Sequence, residues 1–326
     1  MKRIAMLLVL LLSVGLIGLA QQHDDPQVQA DELFNEGNSH LRAGNLAEAV
    51  NKYSEALEIV EDHRYYYQKG VALLRMQRFD DAINSLNDAL DHGSDMETVG
   101  RALSGAYMGL GEELFSAGNY SGAIDRYKEA VEINPDPRFY NRIAIAKRRN
   151  NQEQEAVENF QRAIEMNPNY AVAYAGLAGA YVSLQQYNNA IEAYSTALEL
   201  EPAMQQARRG LASAYTAQGN EILERGRINE AINTLEKAIE AYDQHSQAYL
   251  LLAVANNRRG NYQRAEEHAR NAIEYKTGGQ KGGEYFELGV ALRNQGRKQE
   301  AIAAFEEAAK DSRYRRNAEY ELEELR

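Results

Sequence analysis

Arg138, Arg142, Lys147, Arg148 and Arg149 fall within twelve residues of a chain that carries 48 Asp and Glu against 36 Lys and Arg. Guanidinium groups grip carboxylates through paired hydrogen bonds, so a basic cluster in an acidic protein suits acidic side chains or a chain-terminal carboxylate. Cations in the last turn of a helix are also favoured by its dipole. Arg42, Arg75, Arg149 and Arg258 recur at one such place, which gives part of the cluster a purely structural reason.

Other chemistry is sparse. His23, His40, His63, His92, His245 and His268 lack metal-ligand spacing, and no cysteine can join them. There is no glycine-rich phosphate loop ending in Lys-Ser/Thr, no Gly-x-Ser-x-Gly elbow and no His-Glu-x-x-His helix. Acidic pairs such as Glu112-Glu113 read as solvated helix faces. No metal, cofactor or catalytic residue is therefore expected. The formal charge of −12 argues against nucleic acid as a partner.

The elements that must position the cluster are read from a phrase, Ala-Ile-x-x-Tyr-x-x-Ala-Leu, that returns in variants every 33 to 41 residues. Its copies carry Ala49/Tyr53/Ala56, Ala82/Leu86/Ala89, Ala123/Tyr127/Ala130 and Ala156/Phe160/Ala163. Four more carry Ala190/Tyr194/Ala197, Ala231/Leu235/Ala238, Ala265/Ala269/Ala272 and Ala301/Phe305/Ala308. Spacing of four and then three puts each trio on one helix face, where alanine lets a neighbouring helix approach. A second helical stretch precedes each copy, as in Tyr174, Ala178 and Tyr181. Glycines at Gly44, Gly118, Gly226, Gly260 and Gly296 mark the turn between the two helices, and Asn134-Pro135, Asn167-Pro168 and Glu201-Pro202 stop the second.

Residues Ala171 to Met204, AVAYAGLAGAYVSLQQYNNAIEAYSTALELEPAM, resemble a full tetratricopeptide repeat, and seven other units match with losses. The resemblance implies an all-α fold: a right-handed superhelical solenoid of about eight antiparallel helix-turn-helix repeats with a C-terminal capping helix. The tryptophan that commonly opens the family's first helix is replaced by Leu33, Tyr66, Tyr107, Tyr140, Tyr174, Tyr215, Tyr249 and Tyr285, expected in the core. The resemblance also implies a groove lined by first helices. There Arg138, Asn141, Ile145 and Arg148 turn from the core, and Arg138, Asn141, Arg142 and Arg148 are the candidate peptide-binding residues. Some relatives grip acidic chaperone tails with a lysine and an asparagine. Asn38 matches the asparagine, while Phe34 stands where the lysine would be.

Residues 1–20 read as a signal peptide: Lys2 and Arg3, an apolar run from Ile4 to Leu19, and small residues before Gln21. An uncleaved inner-membrane anchor is the rival reading. Residues 21–29 are assigned to a linker, 30–312 to eight repeats and 313–326 to a capping helix. Seven-residue extensions lengthen the first helices near 97–116 and 205–225, and Gly-rich 278–283 is expected to be a flexible joint. Arg101–Tyr107 and Arg209–Tyr215 match at a distance of 108 residues, as if repeats three to five had been duplicated into six to eight. The chain is thus expected to be an exported, periplasmic or secreted scaffold that binds protein or peptide segments, acidic or carboxylate-bearing. Self-assembly and an envelope enzyme with an unrecognised site are the rivals.

Overall fold

The computed structural model describes residues 25–325. The signal sequence expected at 1–20 lies outside them. The described residues hold seventeen α-helices and no strand, in two compact units that divide between Gln152 and Glu153. The first unit contains α1 (Pro26–Ala43), α2 (Leu46–Ile59), α3 (His63–Arg75), α4 (Phe79–Asp91), α5 (Met96–Ser116), α6 (Tyr120–Ile133) and α7 (Pro137–Arg149). The second contains α8 (Glu153–Met166), α9 (Ala171–Ser183), α10 (Tyr187–Leu200), α11 (Gln205–Glu224), α12 (Ile228–Ala241), α13 (Ser246–Arg259), α14 (Tyr262–Tyr275), α15 (Gly282–Asn294), α16 (Lys298–Ala309) and α17 (Arg315–Leu325).

Within each unit the helices pair as hairpins, and each hairpin packs on the next through its second helix. The sixteen phrase alanines, two per repeat, are all fully buried. The turns follow from backbone chemistry. Gly44 adopts φ 82° after α1, and Asn45 N–H bonds back to His40 O at 2.9 Å, closing the helix end. Where the repeat has no glycine, Gln77, Asn151 and Gln185 take the same left-handed conformation, with φ between 57° and 59°.

A second regularity links the two helices of a hairpin. In five repeats a first-helix glycine faces the large phrase residue sixteen positions later: Gly37 and Tyr53, Gly70 and Leu86, Gly111 and Tyr127, Gly219 and Leu235, Gly289 and Phe305. A Cβ on these glycines would lie 2.4 to 2.7 Å from the facing side chain, closer than packed carbons come. The rings thus press on bare backbone. Tyr53 and Tyr127 are fully buried, and their hydroxyls donate to Asn38 Oδ1 and Glu112 Oε1, each at 2.9 Å.

Several expectations need correction. The helix α1 starts at Pro26, inside the presumed linker 21–29, because Asp25 caps it by accepting from Gln27 N–H at 2.9 Å. Of the first-helix tyrosines expected in the core, only Tyr249 is buried; Tyr66, Tyr107, Tyr140, Tyr174, Tyr215 and Tyr285 are half-buried, as is Leu33. The core is filled by second-helix side chains such as Tyr53, Tyr127, Phe160 and Phe305 together with first-helix residues such as Tyr65, Leu73, Leu252 and Leu292.

The end of the stretch 278–283 is packed into the helices. Gly282 and Gly283 form the buried first turn of α15, where a Cβ would come within 2.4 Å of Asp311 and 2.7 Å of the Tyr314 hydroxyl. Lys281 Nζ donates to Ile273 O at 2.5 Å, and Lys276 meets the buried Glu284 carboxylate at 2.6 Å. Gly282 and Gly283 serve close packing, whereas Gly278 and Gly279 are exposed with open space beside them.

His268 on α14 is 5 % exposed, and neither ring nitrogen has a hydrogen-bond partner. Burial holds its pKa below the usual 6.5. The fold therefore keeps the imidazole neutral, so its contribution to stability is intact above pH 6.5 and is lost as pH falls toward the folded-state pKa.

Two outcomes follow. Gly111→Ala should lower unfolding stability by about 1–3 kcal/mol through overpacking against Tyr127, measured by urea denaturation, while Gly111→Ala/Tyr127→Leu should recover part of the loss. His268→Phe should shrink the fall in thermal midpoint between pH 7.5 and pH 5; an unchanged fall would mean that His268 is not held neutral by the fold.

Candidate functional site

The basic cluster of α7 begins at an aspartate cap. Asp136 accepts the backbone N–H of Arg138 at 2.7 Å, and the same carboxylate takes the Arg138 guanidinium through Nε at 2.9 Å and Nη2 at 2.6 Å. This pairing holds the Asp136 carboxyl below the usual carboxylate range. The arginine is fixed at the helix N-terminus with most of its side chain in solvent.

Beside it the long helix α5 rises from the preceding repeat. Its N-terminal extension brings Arg101 to the same cavity as Arg138, a space of about 250 Å³. Asn134 stands at the loop before α7, and Met108 and Phe139 supply apolar walls. Arg101 forms no ion pair with any described residue, and its carbonyl accepts the hydroxyl of the buried Ser104 at 3.2 Å. The Arg101 guanidinium and the outer face of the Asp136-paired Arg138, over an apolar floor, match a side chain with a methylene stem and a carboxylate end.

The other candidates do not line this cavity. Asn141, expected to turn from the core, is only 4 % exposed, with its amide oxygen unpartnered; the first helix is packed more widely than its groove-facing pattern implies. Arg142 Nε meets Glu112 Oε1 at 3.0 Å, the same oxygen that accepts the Tyr127 hydroxyl. That guanidinium is committed to bracing α5, α6 and α7. Arg148 is half-buried near the end of α7, with its Nε enclosed.

Arg101 was missed in the sequence because single arginines on a helix carry no pattern. The signal lay in the matched stretches Arg101–Tyr107 and Arg209–Tyr215. The positions proposed for a lysine and asparagine grip are taken by packing: Phe34 lies 5.7 Å from the Tyr53 ring and 4.8 Å from the Tyr65 ring, and Asn38 holds the Tyr53 hydroxyl. Among the described residues no group of three His, Asp or Glu is placed to hold a metal ion.

Models of the tetratricopeptide repeat match residues 34–97, 67–137, 108–171, 141–194, 216–279 and 283–312, and a further TPR repeat model matches 178–219. The chain belongs to the tetratricopeptide repeat family. Among curated TPR relatives, small glutamine-rich tetratricopeptide repeat-containing protein 2 of Mycosarcoma maydis is 31% identical over 157 residues, 48% of this chain and 40% of that protein. Hsp70-Hsp90 organizing protein 1 of Arabidopsis thaliana is 26% identical over 180 residues, 45% of this chain and 32% of that protein. The chain thus spans less than half the length of these relatives. Among solved structures, the C-terminal part of a TPR repeat-containing protein from Cytophaga hutchinsonii superposes with a TM-score of 0.54 at 18% identity, covering 80% of this chain and 98% of that one. It shares the TPR fold.

Glu112 and Arg142 differ in what their loss should do. Glu112→Ala strips the buried Tyr127 hydroxyl of its acceptor and should cost about 1–2 kcal/mol. Arg142→Ala removes a partly exposed ion pair and should cost less than about 1 kcal/mol. Equal losses in chemical denaturation would contradict the bracing role assigned to Glu112.

Proposed function

We propose that this TPR chain is a non-catalytic scaffold that holds acidic segments of other polypeptides. The observation that carries the reading is the Arg101/Arg138 cavity, an open cationic pocket on a protein of net charge −12. The bulk charge repels acidic chains, so the Arg101 guanidinium, beside the outer face of the Asp136-paired Arg138, selects a carboxylate at one place rather than everywhere. Of the four residues proposed from sequence, Arg138 serves as a contact, Arg142 and Asn141 as supports of the helix that carries it, and Arg148 as an outer contact farther along α7. The Arabidopsis relative is named for organizing two other proteins, which agrees with a role in bringing chains together.

The scaffold works outside the cytoplasm on this reading, periplasmic or secreted, supported by the basic start and apolar run of residues 2–19. The mature protein purified from its native cells should then begin at Gln21. An N-terminus still carrying Lys2 and Arg3 would replace export of a free chain with the anchored alternative.

The binding claim is tested by fluorescence anisotropy with a labelled hexaglutamate peptide and the purified mature chain. Arg101→Glu/Arg138→Glu, matched to wild type in helicity, should weaken binding at the first-unit pocket at least tenfold. Unaltered binding isotherms would move the site elsewhere, and absence of binding by wild type would remove the acidic-segment reading.

A further inference from the structure

The Arg101 pocket has a counterpart in the second unit. Helix α11 begins early, as α5 does, and Arg209 occupies the register of Arg101, 108 residues further on. Ser213 stands at the register of Gly105, and Tyr242 at that of Asn134. The loop into α13 is one residue longer than the loop into α7, so the cap position of Asp136 falls to His245. Arg209, Ser213, Tyr242, His245 and Ser246 line one cavity of about 790 Å³, closed on another side by Glu274–Gly278.

The parts differ from the first pocket in ways that leave the cation more available. Arg209 is exposed and forms no ion pair with any described residue; its guanidinium carbon sits 5.2 Å from the centre of the Tyr242 ring, which backs the group without neutralising it. Asp136 satisfies the start of α7 with a carboxylate, whereas the His245 side chain makes no cap bond to α13 and lies 3.3 Å from Ser213 Oγ. Lys276 on the far wall is committed to Glu284, and Glu274 is the acidic residue of the lining. Ser213 Oγ donates to the Arg209 carbonyl at 2.9 Å, so the donors left to a carboxylate here are the tyrosine-backed guanidinium and the Ser246 hydroxyl.

We propose that the Arg209 pocket is a second binding site for a carboxylate-bearing polypeptide segment, built from the same register as the first. It rests on the reading of this chain as a holder of acidic segments, and gives that scaffold two sites per chain. The two cavities are made by the same departure from the repeat, the early start of α5 and α11, which carries an arginine over the loop that follows.

Isothermal titration of the purified mature chain with hexaglutamate reads the number of sites directly. Wild type should bind two peptides, Arg209→Gln one, Arg101→Gln one, and the double variant none; Lys237→Gln, an exposed cation outside both cavities, should keep two. Two sites retained by Arg209→Gln overturn the proposal, as does an equal loss in Lys237→Gln, which would mark general charge attraction. One site in wild type, lost with Arg101→Gln alone, removes the second pocket and leaves the proposed function standing. No binding by wild type removes both. Since Arg209 is solvent-exposed, circular dichroism of its variant should match wild type, so a change in site number reads binding and not folding.

Discussion

In five of the eight hairpins the distance between the two helices is set by large side chains pressed onto bare backbone. Tyr53, Leu86, Tyr127, Leu235 and Phe305 each meet a glycine sixteen residues earlier, at separations that leave no room for a methyl group. The contact removes a large apolar group from water and keeps the hairpin thin, so the phrase alanines can seat the next helix. Each of those alanines is fully buried. A chain without cysteine has no disulfide to fix this spacing. Steric fit does it, repeat by repeat.

The pockets depend on two long first helices inside the array. Five first helices span thirteen or fourteen residues and α1 spans 18, whereas α5 and α11 span 21 and 20. The added turns have no partner helix of equal length. They carry Arg101 and Arg209 past the hairpin body to the loops at Asn134 and Tyr242, where cavities form. The scaffold is thus generic, and its irregularities make the chemistry.

Much of the fold was legible in residue spacing. Alanines at four and three intervals must share a helix face, and the glycines before five of the phrases occupy left-handed turns, where other residues pay a steric cost. Legibility failed where one residue type serves two physical ends. Gly282 and Gly283 look like chain flexibility in sequence, yet their missing Cβ atoms admit Asp311 and Tyr314. Asn141 looks solvated because it is polar, yet it is buried. Arg142 looked like a ligand contact, yet Glu112 holds it. Arg101 carried no local signal, since its partner in the pocket is Arg138, 37 residues away, and only tertiary packing unites them.

The central claim is that acidic segments are taken up at the loops beside the long helices and not along the repeat array in general. Hydrogen exchange of the full mature chain, with and without hexaglutamate, addresses it most directly. The account predicts added protection in 101–108 and 134–139, and in 209–216 and 242–246, with the phrase helices unchanged. Protection spread evenly over the first helices, or confined to segments outside those loops, would contradict it.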